Sequence, residues 1–141
     1  MQKDIKFQKK VRNYWLTMGL FVVIILLISI RTYIRSINIL NNGYYSITES
    51  IIKERSRWGV NYYYTFYTKY GELRKGTYYQ SMFLFEENEK FDISKRYLVA
   101  YSATKERSSV LLKDRIVPDS INLDSLREIR VTKKEWSFWD L

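Results

Sequence analysis

The sequence contains no cysteine and no histidine among its 141 residues. Without cysteine the chain has no disulfide, no thiolate metal ligand, no catalytic thiol and no lipid linked through cysteine. Without histidine it lacks the commonest general base near neutral pH and the commonest zinc ligand. An enzyme would have to use carboxylates, lysine, serine or tyrosine. We therefore predict a non-enzymatic protein without cofactor or metal, and a carboxylate-based enzyme is the lower-ranked alternative.

Acidic residues are scarce at the amino-terminal end, and this scarcity accounts for most of the net positive charge. Of the formal net charge of +9, a net of +6 falls on residues 1–43, where seven lysines and arginines accompany one acid. Residues 44–141 have mixed charge and a net of only +3. Because basic residues beside an apolar run orient a membrane helix, we interpret the charge as a membrane signature. We expect no nucleic-acid partner.

Charge is absent from residues 14–30, which read YWLTMGLFVVIILLISI. As a helix this run covers about 26 Å, close to the thickness of about 30 Å of a bilayer's hydrocarbon layer. Tyr14 and Trp15 lie where an interfacial aromatic belt is expected, and Ile30 and Arg31 end the run. The alternatives are a buried globular helix and a cleaved signal peptide, but no small-residue cleavage site follows the run. We predict an uncleaved anchor in contact with membrane lipid.

More positive charge precedes the apolar run than follows it. Five basic residues come before the run and two follow within twenty positions, in the order Lys3, Lys6, Lys9, Lys10, Arg12, Arg31 and Arg35. The flank richer in lysine and arginine stays in the cytoplasm. We therefore predict a single-pass protein of the inner (cytoplasmic) membrane, with a cytoplasmic amino terminus and an extracytoplasmic (periplasmic) domain.

An apolar stripe continues beyond the charge-free run at helical spacing. Its members are Tyr33, Ile34, Ile37 and Leu40. The stripe could be a dimer seam, a membrane-surface contact or a packing surface for the chain's own domain. The letters NNG at residues 41–43 then predict the end of the helix. The predicted organisation is a basic cytoplasmic tail (1–13), a transmembrane helix with an amphipathic extension (14–40), a β domain (41–127) and an aromatic tail (128–141).

After Gly43, short runs of β-branched and aromatic residues alternate with turn residues. Five runs predict strands: YYSITESIIKE, NYYYTFYTK, ELRKGTYYQSMFLF, RYLVAYSA and SSVLLK. The segment IVPDSINLDSLREI predicts an extended exit followed by a short helical or turn segment. The expected fold is a membrane-anchored, mainly β protein, with one transmembrane helix followed by a small antiparallel barrel or sandwich of about five strands.

Aromatic residues are concentrated in the second and third of these runs. A two-residue turn at Tyr70 and Gly71 predicts Lys69 opposite Glu72. The same register predicts two faces. The core face holds Tyr62, Tyr64, Phe66, Leu73, Thr77 and Tyr79. The candidate interaction face holds Tyr63, Tyr67, Arg74 and Tyr78. Cross-strand stabilisation alone is the alternative interpretation of that second face.

Two tryptophans, Trp136 and Trp139, lie in the last six residues. Large exposed aromatics usually contact some other surface. These two could pack on the domain, lie at the membrane interface or bind a partner, so both are candidate interaction residues.

Three stretches, NNGYYSITESIIKE, YGELRKGTYY and KRYLVAYSATKERSSVLLKDRIVPDSI, are similar to small membrane-anchored bacterial proteins common in Bacteroidetes. The chain resembles the uncharacterised DUF3592 domain group over roughly residues 40–121. The matching positions are structural glycines, Gly43, Gly71 and Gly76, and core tyrosines, Tyr62 and Tyr64. The resemblance implies an amino-terminal helix followed by a compact β domain, and it implies no catalytic residues.

The sequence favours an interaction module on the extracytoplasmic side of the membrane. Such a module would be an accessory subunit of an envelope complex or an immunity-type protein that neutralises a toxin. Its partner would be a protein, either a second copy of the chain or a toxin. The alternative is an envelope domain that binds glycan or lipid through the exposed aromatic face.

Overall fold

The structure, a computed structural model, describes residues 2–81 and 91–137, with side chains for residues 8–80 and 91–137. The predicted end of the third strand beyond residue 81 and the predicted surface residue Trp139 lie outside the described residues. The chain divides into two compact units, Met1–Ile34 and Arg35–Leu141.

Helix α1 (Gln2–Asn42) forms the first unit and the beginning of the second. Within Gln8–Asn42 it is long and apolar enough to cross a membrane, with a mean hydropathy of 2.2 over 18 residues. None of that window is buried within the described residues. The hydroxyls of Thr17 and Ser29 donate to backbone carbonyls four residues earlier, at 2.8 and 2.9 Å. These polar groups are therefore satisfied without water.

The second unit is built on five antiparallel strands, which confirms the predicted fold class. They are β1 (Gly43–Ser56), β2 (Gly59–Tyr67), β3 (Leu73–Ser81), β4 (Tyr97–Ser102) and β5 (Ser109–Ile116). Their order in the sheet is β3-β2-β1-β4-β5. The predicted short helical segment is α2 (Leu123–Arg127), which begins where the Asn122 side chain accepts a hydrogen bond from the Asp124 backbone N–H at 3.1 Å.

The central strand β1 is long enough to pair with both halves of the sheet. Its first part pairs with β4 and its second part with β2, and a bulge interrupts the ladder between Thr48 and Ser50. At the bulge, the Thr48 hydroxyl accepts the backbone N–H of Tyr97 at 2.9 Å. A bulge bends its strand and increases the local twist. The edge strands β3 and β5 contact each other as a result, and the sheet curls around its core.

The core inside this curl consists largely of tyrosine. Its buried members are Tyr44, Tyr62, Tyr64, Phe66, Tyr78, Tyr97, Val99, Tyr101 and Leu111. Buried tyrosine hydroxyls need partners, and the fold supplies them. The Tyr101 hydroxyl accepts the Lys69 N–H at 2.6 Å, and the Tyr97 hydroxyl donates to the Asp92 carbonyl at 3.0 Å. The needs of a small core therefore explain half of the eight aromatic residues between Val60 and Tyr79, namely Tyr62, Tyr64, Phe66 and Tyr78.

A second buried cluster lies on the opposite face of β4 and β5. It contains Ile39, Ala100, Val110, Leu112, Val131 and Trp136. The last turns of α1 pack here through Ile39 and Leu40. Of the predicted stripe, Leu40 therefore packs on the chain's own domain, whereas Tyr33 and Ile34 remain exposed. The Arg35 guanidinium also donates to the Ser109 carbonyl.

The predicted register of the β2–β3 hairpin was wrong by one residue. The turn contains three residues rather than two, because the Thr68 N–H donates to the Glu72 carbonyl at 2.9 Å. Gly71, with φ of 82°, supplies the left-handed position that such a turn requires. One residue of slip exchanges the two faces of β3. Tyr78 consequently lies in the core, and Tyr79 is 46% exposed.

Candidate functional site: an exposed aromatic face and a cationic pocket

The outward side of β1, β2 and β3 forms one continuous surface, which we call the outer face. Its members are Ser50, Ile52, Glu54, Asn61, Tyr63, Thr65, Tyr67, Leu73, Lys75, Thr77 and Tyr79. Four of these are large side chains that remain 40–64% exposed: Ile52, Tyr63, Leu73 and Tyr79. Asn61 pairs with Tyr79 and Tyr63 pairs with Thr77, so the two tyrosines are diagonal neighbours. Such neighbours lie about 7–8 Å apart.

Local contacts hold both exposed tyrosines in place. The Tyr79 ring lies over Gly59, because a Cβ atom at Gly59 would come within 2.9 Å of the Tyr79 hydroxyl. A hydrogen bond to the Glu54 carboxylate raises the pKa of Tyr63. Side chains restrained in this way lose less conformational entropy when they bind a partner.

The predicted interaction residues do not form one surface. Tyr63 and Tyr67 both lie on the outer face, where Tyr67 pairs with Leu73. Tyr63 is 40% exposed and Tyr67 is half-buried. Arg74 and Tyr78 point inward as a result of the register. Trp136 is 5% exposed and packs in the second cluster, the first of the alternatives considered for the tail.

The residues predicted to bound the anchor lie on exposed surface of α1. Tyr14, Trp15 and Ile30 are 54–68% exposed, and Arg31 is exposed as well. Tyr14 and Trp15 also contact each other edge to face, with ring centroids 6.2 Å apart. Amphipathic rings of this kind suit the headgroup region of a bilayer.

Arg74 joins the beginning of β3 to the end of β4. Its guanidinium donates to the Ser102 carbonyl at 2.9 Å, to the Ala103 carbonyl at 3.4 Å and to the Glu72 carboxylate at 3.0 Å. Only 11% of the side chain is exposed. Arg74 is therefore a structural residue rather than part of an exposed surface.

Sequence reasoning missed a cationic pocket around Tyr44. The pocket has a volume of about 490 Å³ and is lined by residues that include Tyr44, Lys69, Tyr70 and Arg130. The Lys69 ammonium lies 3.9 Å from the centre of the Tyr44 ring and 4.8 Å from that of Tyr70. Hydrogen bonding to Lys69 and to Arg130 lowers the pKa of Tyr44. No local pattern could have revealed this site, because its members come from three separate segments.

Among the described residues, no group of three or more acidic, histidine or cysteine side chains could hold a metal ion. The outer face can bind a partner by ring stacking, apolar contact and hydrogen bonding, and the pocket can bind a ligand by charge.

Comparison with protein-family models, with curated proteins and with solved structures found no significant match for this chain. The resemblance to the DUF3592 group therefore stays a prediction.

Proposed function

We propose that the chain is a single-pass protein of the bacterial inner membrane, with its amino terminus in the cytoplasm and its β domain in the periplasm. Two features support this arrangement. The apolar side chains of α1 are exposed along residues 14–30. Five basic residues precede those apolar residues, and only two follow within twenty positions.

The β domain acts there as a non-enzymatic interaction module, either an accessory subunit of an envelope complex or an immunity-type protein that neutralises a toxin. The observation that carries this proposal is the outer face. Monomeric domains seldom leave several large apolar and aromatic side chains exposed on one face of a sheet. Tyrosines surrounded by small polar side chains are also typical of protein-binding surfaces.

Site-specific photo-cross-linking in living cells tests this proposal. A photoreactive amino acid replaces Tyr79 on the outer face, and in a control chain it replaces Ile121, which is 38% exposed in the connection after β5. We expect one discrete adduct from position 79 and none from position 121. The mass of the adduct separates a second copy of the chain from a different protein. Recovery of only the bare chain from both positions contradicts the proposal.

An envelope glycan is the second candidate partner. The diagonal pair Tyr63 and Tyr79, with Asn61 and Thr77 beside it, offers two rings for stacking and polar groups for sugar hydroxyls. The test measures co-sedimentation of the full chain with purified peptidoglycan. We expect Tyr63→Ala to abolish binding and Lys105→Ala, in the exposed turn after β4, to leave it unchanged. Equal binding by all three chains removes this candidate.

A further inference from the structure

Three separate segments converge on the side chain of Tyr44. Tyr44 is the second residue of β1 and pairs with Tyr101 of β4. On one side, the turn between β2 and β3 brings Lys69, whose backbone N–H is held by the Tyr101 hydroxyl at 2.6 Å. On the other side, the segment after α2 forms a single bridge between Arg130 and Tyr44. Hydrogen bonds of the backbone therefore fix the positions from which both cationic side chains, those of Lys69 and Arg130, extend.

That short bridge is itself firmly attached to β1. The Tyr45 N–H donates to the Ile129 carbonyl at 3.2 Å, and the Val131 N–H donates to the Gly43 carbonyl at 2.9 Å. Val131 is then buried in the second cluster. The Arg130 guanidinium carbon lies 5.8 Å from the centre of the Tyr44 ring. Lys69 and Arg130 are thus both held close to the Tyr44 ring.

Neither cation has a carboxylate partner in the described part of the chain. The pocket also contains Asp124 and Glu128, but Asp124 pairs with Arg127 at 3.1 Å. No ion pair joins Glu128 to Lys69 or to Arg130. Two like charges that lie close together repel each other when neither forms an ion pair with a carboxylate. A bound anion would remove that repulsion and accept hydrogen bonds from both side chains.

The chemistry of the donors favours a phosphate group. A phosphate monoester carries between one and two negative charges at neutral pH and has three acceptor oxygens. The planar guanidinium of arginine matches two phosphate oxygens at once, and lysine adds a point charge. The Tyr44 hydroxyl supplies one more polar group. With about 490 Å³, the pocket also has room for the part of a ligand next to its phosphate.

We propose that the pocket between Lys69, Arg130 and Tyr44 binds a phosphate group, either of a small molecule or of a lipid headgroup. This site goes beyond the interaction module proposed above and does not depend on it. The phosphate sits against the two cations, and the exposed ring of Tyr70 covers one side of the pocket.

Tyrosine ring resonances of the full chain in a nonionic, phosphate-free detergent test the proposal by NMR. The resonance of Tyr44 is assigned by its loss in Tyr44→Phe. Titration with inorganic phosphate at neutral pH and constant ionic strength should shift it saturably. Lys69→Gln and Arg130→Gln should each weaken binding by about tenfold or more, since each removes a charge-assisted hydrogen bond. Arg130→Gln changes an exposed side chain, so it provides the test if Lys69→Gln does not fold.

Lys105→Gln is the matched control, because it removes the same charge from the exposed turn after β4. Unchanged affinity in this variant supports the site. If Lys105→Gln loses as much phosphate affinity as the two pocket variants, or if the shift of the Tyr44 resonance never saturates, the proposed site is overturned. Either result would mean that phosphate acts only by screening charge in general. Acetate serves as a second probe, and binding as tight as that of phosphate overturns the assignment to phosphate.

Phospholipid nanodiscs without free phosphate separate the two sources of the group. A Tyr44 shift in nanodiscs that Lys69→Gln and Arg130→Gln abolish identifies the headgroup as the ligand. A saturable shift with free phosphate alone identifies a small molecule. Absence of both shifts overturns the proposal.

Discussion

At the residue scale, burial sets the chemistry of Tyr64. The side chain is 1% exposed, and its hydroxyl lies 3.1 Å from the Ser109 hydroxyl. Burial raises the pKa of Tyr64 from 10.0 to about 12, because the interior disfavours a charged phenolate. The hydrogen bond to Ser109 acts in the opposite direction and is the smaller effect.

This shift predicts alkaline instability. A folded-state pKa above the unfolded value means that the neutral phenol stabilises the fold below pH 10, and this contribution is lost between pH 10 and about 12. The loss amounts to roughly 2–3 kcal/mol of the free energy of unfolding. Chemical denaturation of the full chain in detergent, followed by near-ultraviolet circular dichroism, measures it. Tyr64→Phe should lose less stability over this range, and parallel pH curves for the two chains would refute the prediction.

Gly76 contributes to the packing of the core because it has no side chain. It pairs with Tyr64 across the β2–β3 ladder, and the Tyr64 ring crosses directly over it. A Cβ atom at Gly76 would lie 2.2 Å from Cζ of Tyr64. The ring is enclosed by the core, so it has no room to move aside.

We therefore expect Gly76→Ala to destabilise the β domain by about 1–3 kcal/mol through overpacking. Gly19→Ala is the matched control, since nothing lies within 4 Å of a Cβ atom at that position in α1. Denaturation of the β domain measures both variants. If the clash is the cause, Gly76→Ala should destabilise the β domain less in a Tyr64→Val background. An equal loss of stability in both backgrounds would mean that the effect comes from the backbone of residue 76 instead.

At the scale of elements, the hairpin between β2 and β3 shows how one residue of turn length decides a surface. A two-residue turn would have placed Tyr78 outside and Tyr79 in the core. The three-residue turn at Lys69, Tyr70 and Gly71 reverses them. Both tyrosines suit a strand equally well, so strand propensity cannot choose between them. The choice follows from the fit of Tyr78 against Tyr62 inside the curl, where the two rings stack with centroids 6.0 Å apart.

The same slip turns Arg74 inward, where it connects two strands that are not neighbours in the sheet. We expect Arg74→Ala to destabilise the domain by about 1–3 kcal/mol, because it leaves the Ser102 carbonyl without the donor that it has in the folded chain. Thermal unfolding in detergent measures the effect. Lys75→Ala, on the outer face one residue later, removes the same charge and should change stability by at most about 0.5 kcal/mol. Equal effects would mean that Arg74 stabilises only through net charge.

At the scale of the whole molecule, the orientation in the membrane decides which partners the β domain can meet. Because the chain has no cysteine, a single introduced cysteine can be labelled selectively. Thr104 is a suitable position, since it is exposed in the turn after β4 while the nearby Ser108 is buried. The basic flank of α1 offers Lys9, also exposed, as the matched position on the other side of the apolar run.

We expect a membrane-impermeant maleimide to label Thr104→Cys in intact spheroplasts, and to label Lys9→Cys only after lysis. This outcome follows from the charge difference across the apolar run. The reverse pattern would place the β domain in the cytoplasm and contradict the proposed envelope function. Labelling of both positions before lysis would contradict a membrane-spanning helix.

Some of this organisation was determined by the sequence alone, because it depends on neighbouring residues. Seventeen consecutive uncharged residues predict a helix able to cross a membrane, and alternation of apolar and turn residues predicts five strands. The NNG letters correctly predict that the helix ends before Gly43, and the residues after Pro118 predict a short helical or turn segment, which is the helix α2.

Tertiary structure alone decided which side chains meet. The bulge in β1, the three-residue turn and the curl of the sheet set Tyr78 inside, Tyr79 outside and Trp136 against Ile39. The pocket around Tyr44 brings together residues as distant in sequence as Tyr44 and Arg130. Local patterns contain no information on such pairs, because each contact depends on how all five strands pack around one shared core.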